Sequence, residues 1–178
     1  MIANPENPFE LLQNDVAAKL MATSPFDTIK FPDGSSFKVL TEDEGDIQFE
    51  FDALIAGLGL AIVVQAPTGK IGQPDIPGPL INDLGFDVWV SEAPVFNREE
   101  FGTQLRLSKA MTIVMGALHL WLAPSLATDA GGSIVFCSGF DKHRERVYNG
   151  EADKTGRLII SRIVHFQCPQ VAAQISET

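Results

Sequence analysis

Between Ile47 and Gln65 the apolar pattern changes period without a break. Ile47, Phe51, Leu54, Ile55 and Leu58 form a stripe at helical spacing, although Ile47, Phe49 and Phe51 also alternate with Gln48, Glu50 and Asp52 as a strand would. Asp46 stands where an N-cap belongs, and Gly57 and Gly59 stand where a helix stops. The reading taken is a helix over 47–57. Leu60–Gln65 is then a short apolar run, the mark of a buried strand. A helix that feeds straight into a buried strand needs a sheet for that strand to join and a core for both to cover.

The rest of the chain supplies those partners. Asn7-Pro8 can open a helix over 8–22, with Phe9, Leu12, Val16, Leu20 and Met21 at helical spacing and Ser24-Pro25 ending it. Phe31-Pro32-Asp33-Gly34 is turn chemistry, and Phe37–Leu40 is a short strand candidate. Residues 66–85 carry Pro67, Gly69, Gly72, Pro74, Pro77, Gly78, Pro79 and Gly85 and read as one long loop, of the kind that is usually functional or interfacial. Phe86–Phe96 is a strand, 104–122 the main helix, Ser133–Ser138 a strand, and Arg157–Cys168 the longest strand. The order predicted is α-β-α-β-β-α-β-β. This is an α+β fold: one domain over 1–178, with a mixed sheet of about five strands and two or three flanking helices. An N-terminal helix and arm occupy 1–34, and extended excursions lie at 66–85 and 139–156. The core expected where the main helix lies on the sheet is Leu107, Val114, Leu118, Val88, Ile134, Ile160, Val164 and Phe166.

Composition narrows the function. The chain has 178 residues, enough for one domain with a sizeable core, and is 45% hydrophobic. Its 13 basic against 23 acidic residues give a formal charge of −10. Such a chain lacks the clustered Lys and Arg that grip phosphates or anionic lipid. Two cysteines, Cys137 and Cys168, do not make a disulfide framework, so a reducing compartment is the simpler expectation. Met1–Pro8 has neither the positive flank nor the apolar core of a secretory leader. Leu54–Val64 and Ala110–Leu122 fall short of the roughly 20 apolar residues that a membrane helix needs.

Few residues point to chemistry. Ala66-Pro67-Thr68-Gly69-Lys70 resembles the end of a phosphate-binding loop, but Val64 stands where its first Gly belongs and Ile71 where Ser or Thr should follow. A surface turn is the better reading. Cys137, His143, His165 and Cys168 could form a Cys₂His₂ zinc site only without the usual Cys-x₂-Cys knuckle, and Cys137 and Cys168 are more simply small core residues. A cysteine nucleophile would need an electropositive setting, which Lys142, His143, Arg144 and Arg146 could supply for Cys137 alone. His119 reads as a satisfied, buried or half-buried histidine beside the main helix. Asp141–Arg146 is a mixed-charge run, either a solvated hairpin or an arm that meets a partner through salt bridges. Neither catalytic residues, metal ligands nor a cofactor site are expected.

Several segments taken in order carry a resemblance. Thr41-Glu42-Asp43-Glu44-Gly45-Asp46-Ile47 leads into a helix, and Gly57–Val64 follows. Pro67-Thr68-Gly69 and Pro77-Gly78-Pro79 come next. Val88-Trp89-Val90-Ser91 then runs into Glu92-Ala93-Pro94-Val95-Phe96-Asn97-Arg98. A helix ending Leu118-His119-Leu120-Trp121 and a strand ending His165-Phe166-Gln167-Cys168 complete the order. Over residues 35–168 this resembles the tail-completion, or tail-terminator, proteins of tailed bacteriophages.

The resemblance implies a structural virion protein with no catalytic residues. Such subunits form a ring, commonly a hexamer, on the end of the tail tube. The ring stops polymerisation and forms the joint to the head connector. The implied partners are further copies of itself, the tail-tube protein and the neck proteins, while DNA passes through without specific binding. The setting implied is the tail or neck of the virion, with assembly in the host cytoplasm. Residues expected at an interface are Glu92, Asn97, Arg98, Asp141, Lys142, Arg144, Glu145 and Arg146. Glu42, Asp43, Glu44 and Asp46 are expected to face a lumen, where an acidic wall lets DNA slide. The alternatives are another neck or tail protein (a stopper, tube subunit or adaptor) and a small metal-dependent hydrolase.

Overall fold

The computed structural model describes residues 8–42, 45–71, 81–98, 103–126, 134–148 and 157–168. Helix α1 covers Pro8–Met21, with Leu12, Val16 and Leu20 fully buried along one stripe. Helix α2 covers Ile47–Leu58. Its N-cap is Asp46, whose carboxylate accepts the Phe49 N–H at 3.2 Å. It ends at Gly59 in the left-handed conformation, with φ of 70°. A β-carbon there would lie 2.3 Å from the backbone nitrogen of Asn97, so both the backbone angle and the neighbour demand glycine. The helix reading of the ambiguous segment, and both of its caps, match this geometry.

Among the described residues seven strands follow the order β1-β2-β4-β7-β6-β5, with β3 beside β4. They are β1 (Leu40–Thr41), β2 (Leu60–Val64), β3 (Thr68–Ile71), β4 (Ile81–Glu92), β5 (Trp121–Leu122), β6 (Ile134–Tyr148) and β7 (Arg157–Cys168). Among the described strands β1 and β2 run parallel and the other pairs antiparallel, and the sheet is therefore mixed. Leu84, Phe86, Val88 and Val90 alternate onto one face of β4, opposite Val164, Phe166 and Cys168 of β7. Phe86 and Phe166 are directly opposed, and their rings stack at 5.1 Å. Helix α3 (Leu107–Leu118) packs on β4, β6 and β7 and against α1. It buries Leu107, Ala110, Met111, Val114 and Leu118, a period near 3.6. No described helix is long and apolar enough to cross a membrane.

The mixed α+β sheet matches the expectation, with seven strands among the described residues where about five were expected. Several expectations need correction. The strand expected at 37–40 is the two-residue β1. The 66–85 loop is shorter than its composition implied, because β3 and the start of β4 take both of its ends; residues 72–80 lie outside the described residues. Ala66–Lys70 is not a surface turn. Pro67 has no N–H and interrupts the ladder between β2 and β3, and both strands run beside β4. The Ala66 N–H is taken up by the Glu42 carboxylate at 2.7 Å. The main helix is Leu107–Leu118 rather than 104–122, because Leu120 turns left-handed (φ of 61°) and sends the chain into β5. The strand expected at 133–138 continues to Tyr148, so the first half of the 139–156 excursion is paired sheet. Its second half, 149–156, lies outside the described residues. Among the expected core residues Ile134 is 41% exposed and Ile160 is only partly buried; the other six are buried.

Candidate functional site

Three groupings stand out. The first joins the end of β4 to the start of α3. The Glu92 carboxylate accepts the Leu107 N–H at 2.8 Å and the Asn97 amide at 2.9 Å, and pairs with the Arg106 guanidinium at 3.1 Å. Asn97 also donates to the Leu105 carbonyl at 3.0 Å and accepts the Thr103 hydroxyl at 2.7 Å. Arg106 occupies the N-cap position of α3 and makes no side-chain cap, so a carboxylate from β4 serves instead, at the positive end of the helix. Glu92 and Asn97 are 2% and 0% exposed. Both were expected at an interface; within the subunit their side chains are buried and hydrogen-bonded to its own groups. The sequence signal, Glu92…Asn97 between a strand and a helix, marks a helix-start lock.

The second grouping lies on the other face of the sheet. Asp87 of β4 stands opposite His165 of β7, and its carboxylate meets His165 Nδ1 at 2.7 Å. His165 Nε2 meets the carboxylate of Asp141, on β6, at 3.2 Å. The hydrogen bond to Asp87 raises the His165 pKa above its ordinary value; burial opposes it, and Asp141 adds to the rise. Asp87 and His165 border an open cavity of about 490 Å³ that Gln65, Thr68, Ser138 and Gln167 also line. Sequence reasoning placed His165 on the more polar strand face but missed both aspartates as its partners. The strand alternation holds that signal, since Asp87 and His165 each interrupt an apolar strand.

The zinc and cysteine readings lose their footing here. His165 is engaged by carboxylates through both ring nitrogens. Cys168 is fully buried, and burial pushes its thiol up to about 12, far from thiolate chemistry. Cys137 lies opposite Phe166 and His143 opposite Ser161, so they are well separated along β6. Among the described residues no group of three His, Cys, Asp or Glu side chains is placed to hold a metal ion.

The third grouping is apolar and exposed. Leu120, Leu122, Ile134 and Phe136 are 59%, 46%, 41% and 36% exposed, all at the corner where β5 meets β6. Trp121 pairs with Val135 and Leu122 with Ile134, while the Leu120 N–H donates to the Val135 carbonyl at 2.8 Å. The Phe136 ring also takes the edge of His119 at 6.0 Å. His119 is exposed, not buried as expected, and is held by accepting the Cys137 N–H at 3.3 Å.

The remaining predicted site residues are scattered. Asp141 joins His165. Lys142, Arg144, Glu145 and Arg146 are on β6, and Arg98 closes the 3-10 turn Phe96–Arg98; their side chains lie outside the described set. Glu42 and Asp46 are exposed, and each holds a backbone N–H of its own subunit. Asp43 and Glu44 lie outside the described residues. No protein-family model matches this sequence, and no curated protein does.

Proposed function

We propose that this chain is a structural assembly protein of a tailed phage, a tail-completion subunit that closes the end of the tail tube as a ring and forms the joint to the head connector. The observation that carries the assembly part is the apolar corner of Leu120, Leu122, Ile134 and Phe136. A soluble subunit rarely gathers exposed apolar side chains on one spot unless something covers them. Leu120 adds to this. It is a bulky residue in the left-handed region and is exposed there, so the subunit gains neither conformational ease nor burial from it. The order of segments described above supports the tail assignment. Contacts of this kind, between unlike surfaces of successive copies, close into a ring when the rotation between copies allows it.

The acidic balance fits the same reading. Part of the −10 charge would line the channel, where repulsion of phosphates lets DNA move without sticking. Glu42 and Asp46 can serve there only with the oxygen not already committed to Ala66 or Phe49. Native mass spectrometry at high protein concentration and low salt, alone and with isolated tail tubes, tests the proposal. A single discrete multiple of the subunit mass, or a discrete number of copies on tube ends, is expected. A strict monomer that ignores tubes would overturn it.

A further inference from the structure

The Asp87–His165–Asp141 arrangement has a proton count built into it. A carboxylate only accepts hydrogen bonds. An imidazole offers one N–H when neutral and two when protonated. Nδ1 lies 2.7 Å from Asp87 and Nε2 lies 3.2 Å from Asp141, so holding both at once needs the charged ring. When the ring is neutral, one nitrogen presents a lone pair to a carboxylate, and that contact turns repulsive. The bond that survives is the shorter one, to Asp87.

The three residues come from three adjacent strands. His165 is central on β7, Asp87 lies across from it on β4, and Asp141 reaches back from β6 just past the register shift between Cys137 and Gly139. That shift weakens the backbone ladder where the side-chain bridge crosses it. Among the described residues, the other side chains of the cavity wall (Gln65, Thr68, Ser138 and Gln167) carry no charge. Arg162, three residues away on β7, bonds to the Ser161 carbonyl. The two aspartates are thus the charges that face the ring from β4 and β6.

We propose that His165 is a proton-dependent clasp that ties the root of the outer β6 strand to the middle of the sheet, closed on both aspartates when the ring is charged and released from Asp141 when it is neutral. The clasp controls how firmly residues 139–143 are held, where the mixed-charge run begins. It does not depend on the tail assignment. His165 has a raised pKa, so the clasp is fully closed below the ordinary histidine value of 6.5 and opens as pH rises through the higher, folded-state value.

Amide hydrogen exchange of residues 139–143, corrected for the intrinsic pH dependence, reads the clasp directly. From about pH 5 to about pH 9, local opening should increase about two- to five-fold in the wild-type chain, the size expected of a solvent-exposed ion pair. Asp141→Asn should abolish that change. Its amide can donate to the neutral ring and its carbonyl can accept from the charged one. The NMR titration midpoint of His165 should lie above 6.5 in the wild type and fall in Asp141→Asn. A wild-type chain with no pH-dependent opening, or an equal change in both proteins, would overturn the proposal.

Discussion

Glu92→Ala isolates what one buried carboxylate does for this fold. The substitution removes the acceptor of the Leu107 N–H, one partner of Asn97, and the anion beside Arg106. Stranding the buried Leu107 N–H costs about 1–3 kcal/mol. The lost methylene adds about 0.8 kcal/mol, and the lost anion at the helix start about 0.3–1 kcal/mol. Asn97 keeps the Leu105 carbonyl and the Thr103 hydroxyl, so it adds little. Arg106 is 54% exposed and turns to water, so its ion pair counts for almost nothing. The sum is about 2–5 kcal/mol, read as a lower urea midpoint at unchanged slope, or as a fall of about 4–20 °C in Tm. Arg106→Ala should cost under about 1 kcal/mol. The reasoning fails if Glu92→Ala costs less than about 0.5 kcal/mol, or if Arg106→Ala costs as much, because either result would mean that the carboxylate does not lock α3.

Leu118→Ala, at a fully buried position on α3, should cost about 2–5 kcal/mol in the same unfolding assay. Gly59→Ala forces a β-carbon onto the Asn97 backbone at a left-handed φ and should cost about 2–4 kcal/mol, with near-wild-type stability excluding the close approach. A chromogenic disulfide reagent near pH 8 should modify half-buried Cys137 in the folded protein. Cys168 should react only after denaturation, and two equally fast thiols would contradict its burial and raised pKa.

Legibility followed the strength of local signals. Helix α2 was readable because Asp46 and Gly59 bracket the apolar stripe, and both caps form. The apolar stripes of α1 and α3 were readable for the same reason, as were six of the eight expected core residues. The end of α3 was not, since Leu118-His119-Leu120-Trp121 holds neither Gly nor Pro and a leucine takes the left-handed turn. Strands β3 and the far half of β6 were hidden by composition. Pro and Gly near 66–85 and the charges of 141–146 argue for loops, whereas pairing to a neighbouring strand is a long-range fact that no local window contains. The site was half legible. His165 could be placed on a face, but its meeting with Asp87 and Asp141 depends on the register between three strands, and a one-residue slip would separate them.

The misplaced Ile134 is informative about what covers the sheet corner. Val135 is fully buried, and a strand's period of two turns Ile134 and Phe136 to the opposite face, where Leu122 also lies beside Ile134. A strand apolar on both faces reads as one covered on both, yet among the described residues only one face is covered. If a neighbouring copy supplies the second cover, Leu120 serves the assembly and not the subunit. Leu120→Gly separates the two. Glycine at φ of 61° relieves about 1–2 kcal/mol of left-handed strain and costs about 0.5–1 kcal/mol of added chain freedom. The exposed side chain contributes little burial in return. Subunit stability should therefore stay within about 1 kcal/mol of wild type, while the oligomer seen by native mass spectrometry weakens or disappears. An oligomer of unchanged strength would show that Leu120 lies outside the contact, and a subunit destabilised well beyond 1 kcal/mol would show that its role is internal to the fold.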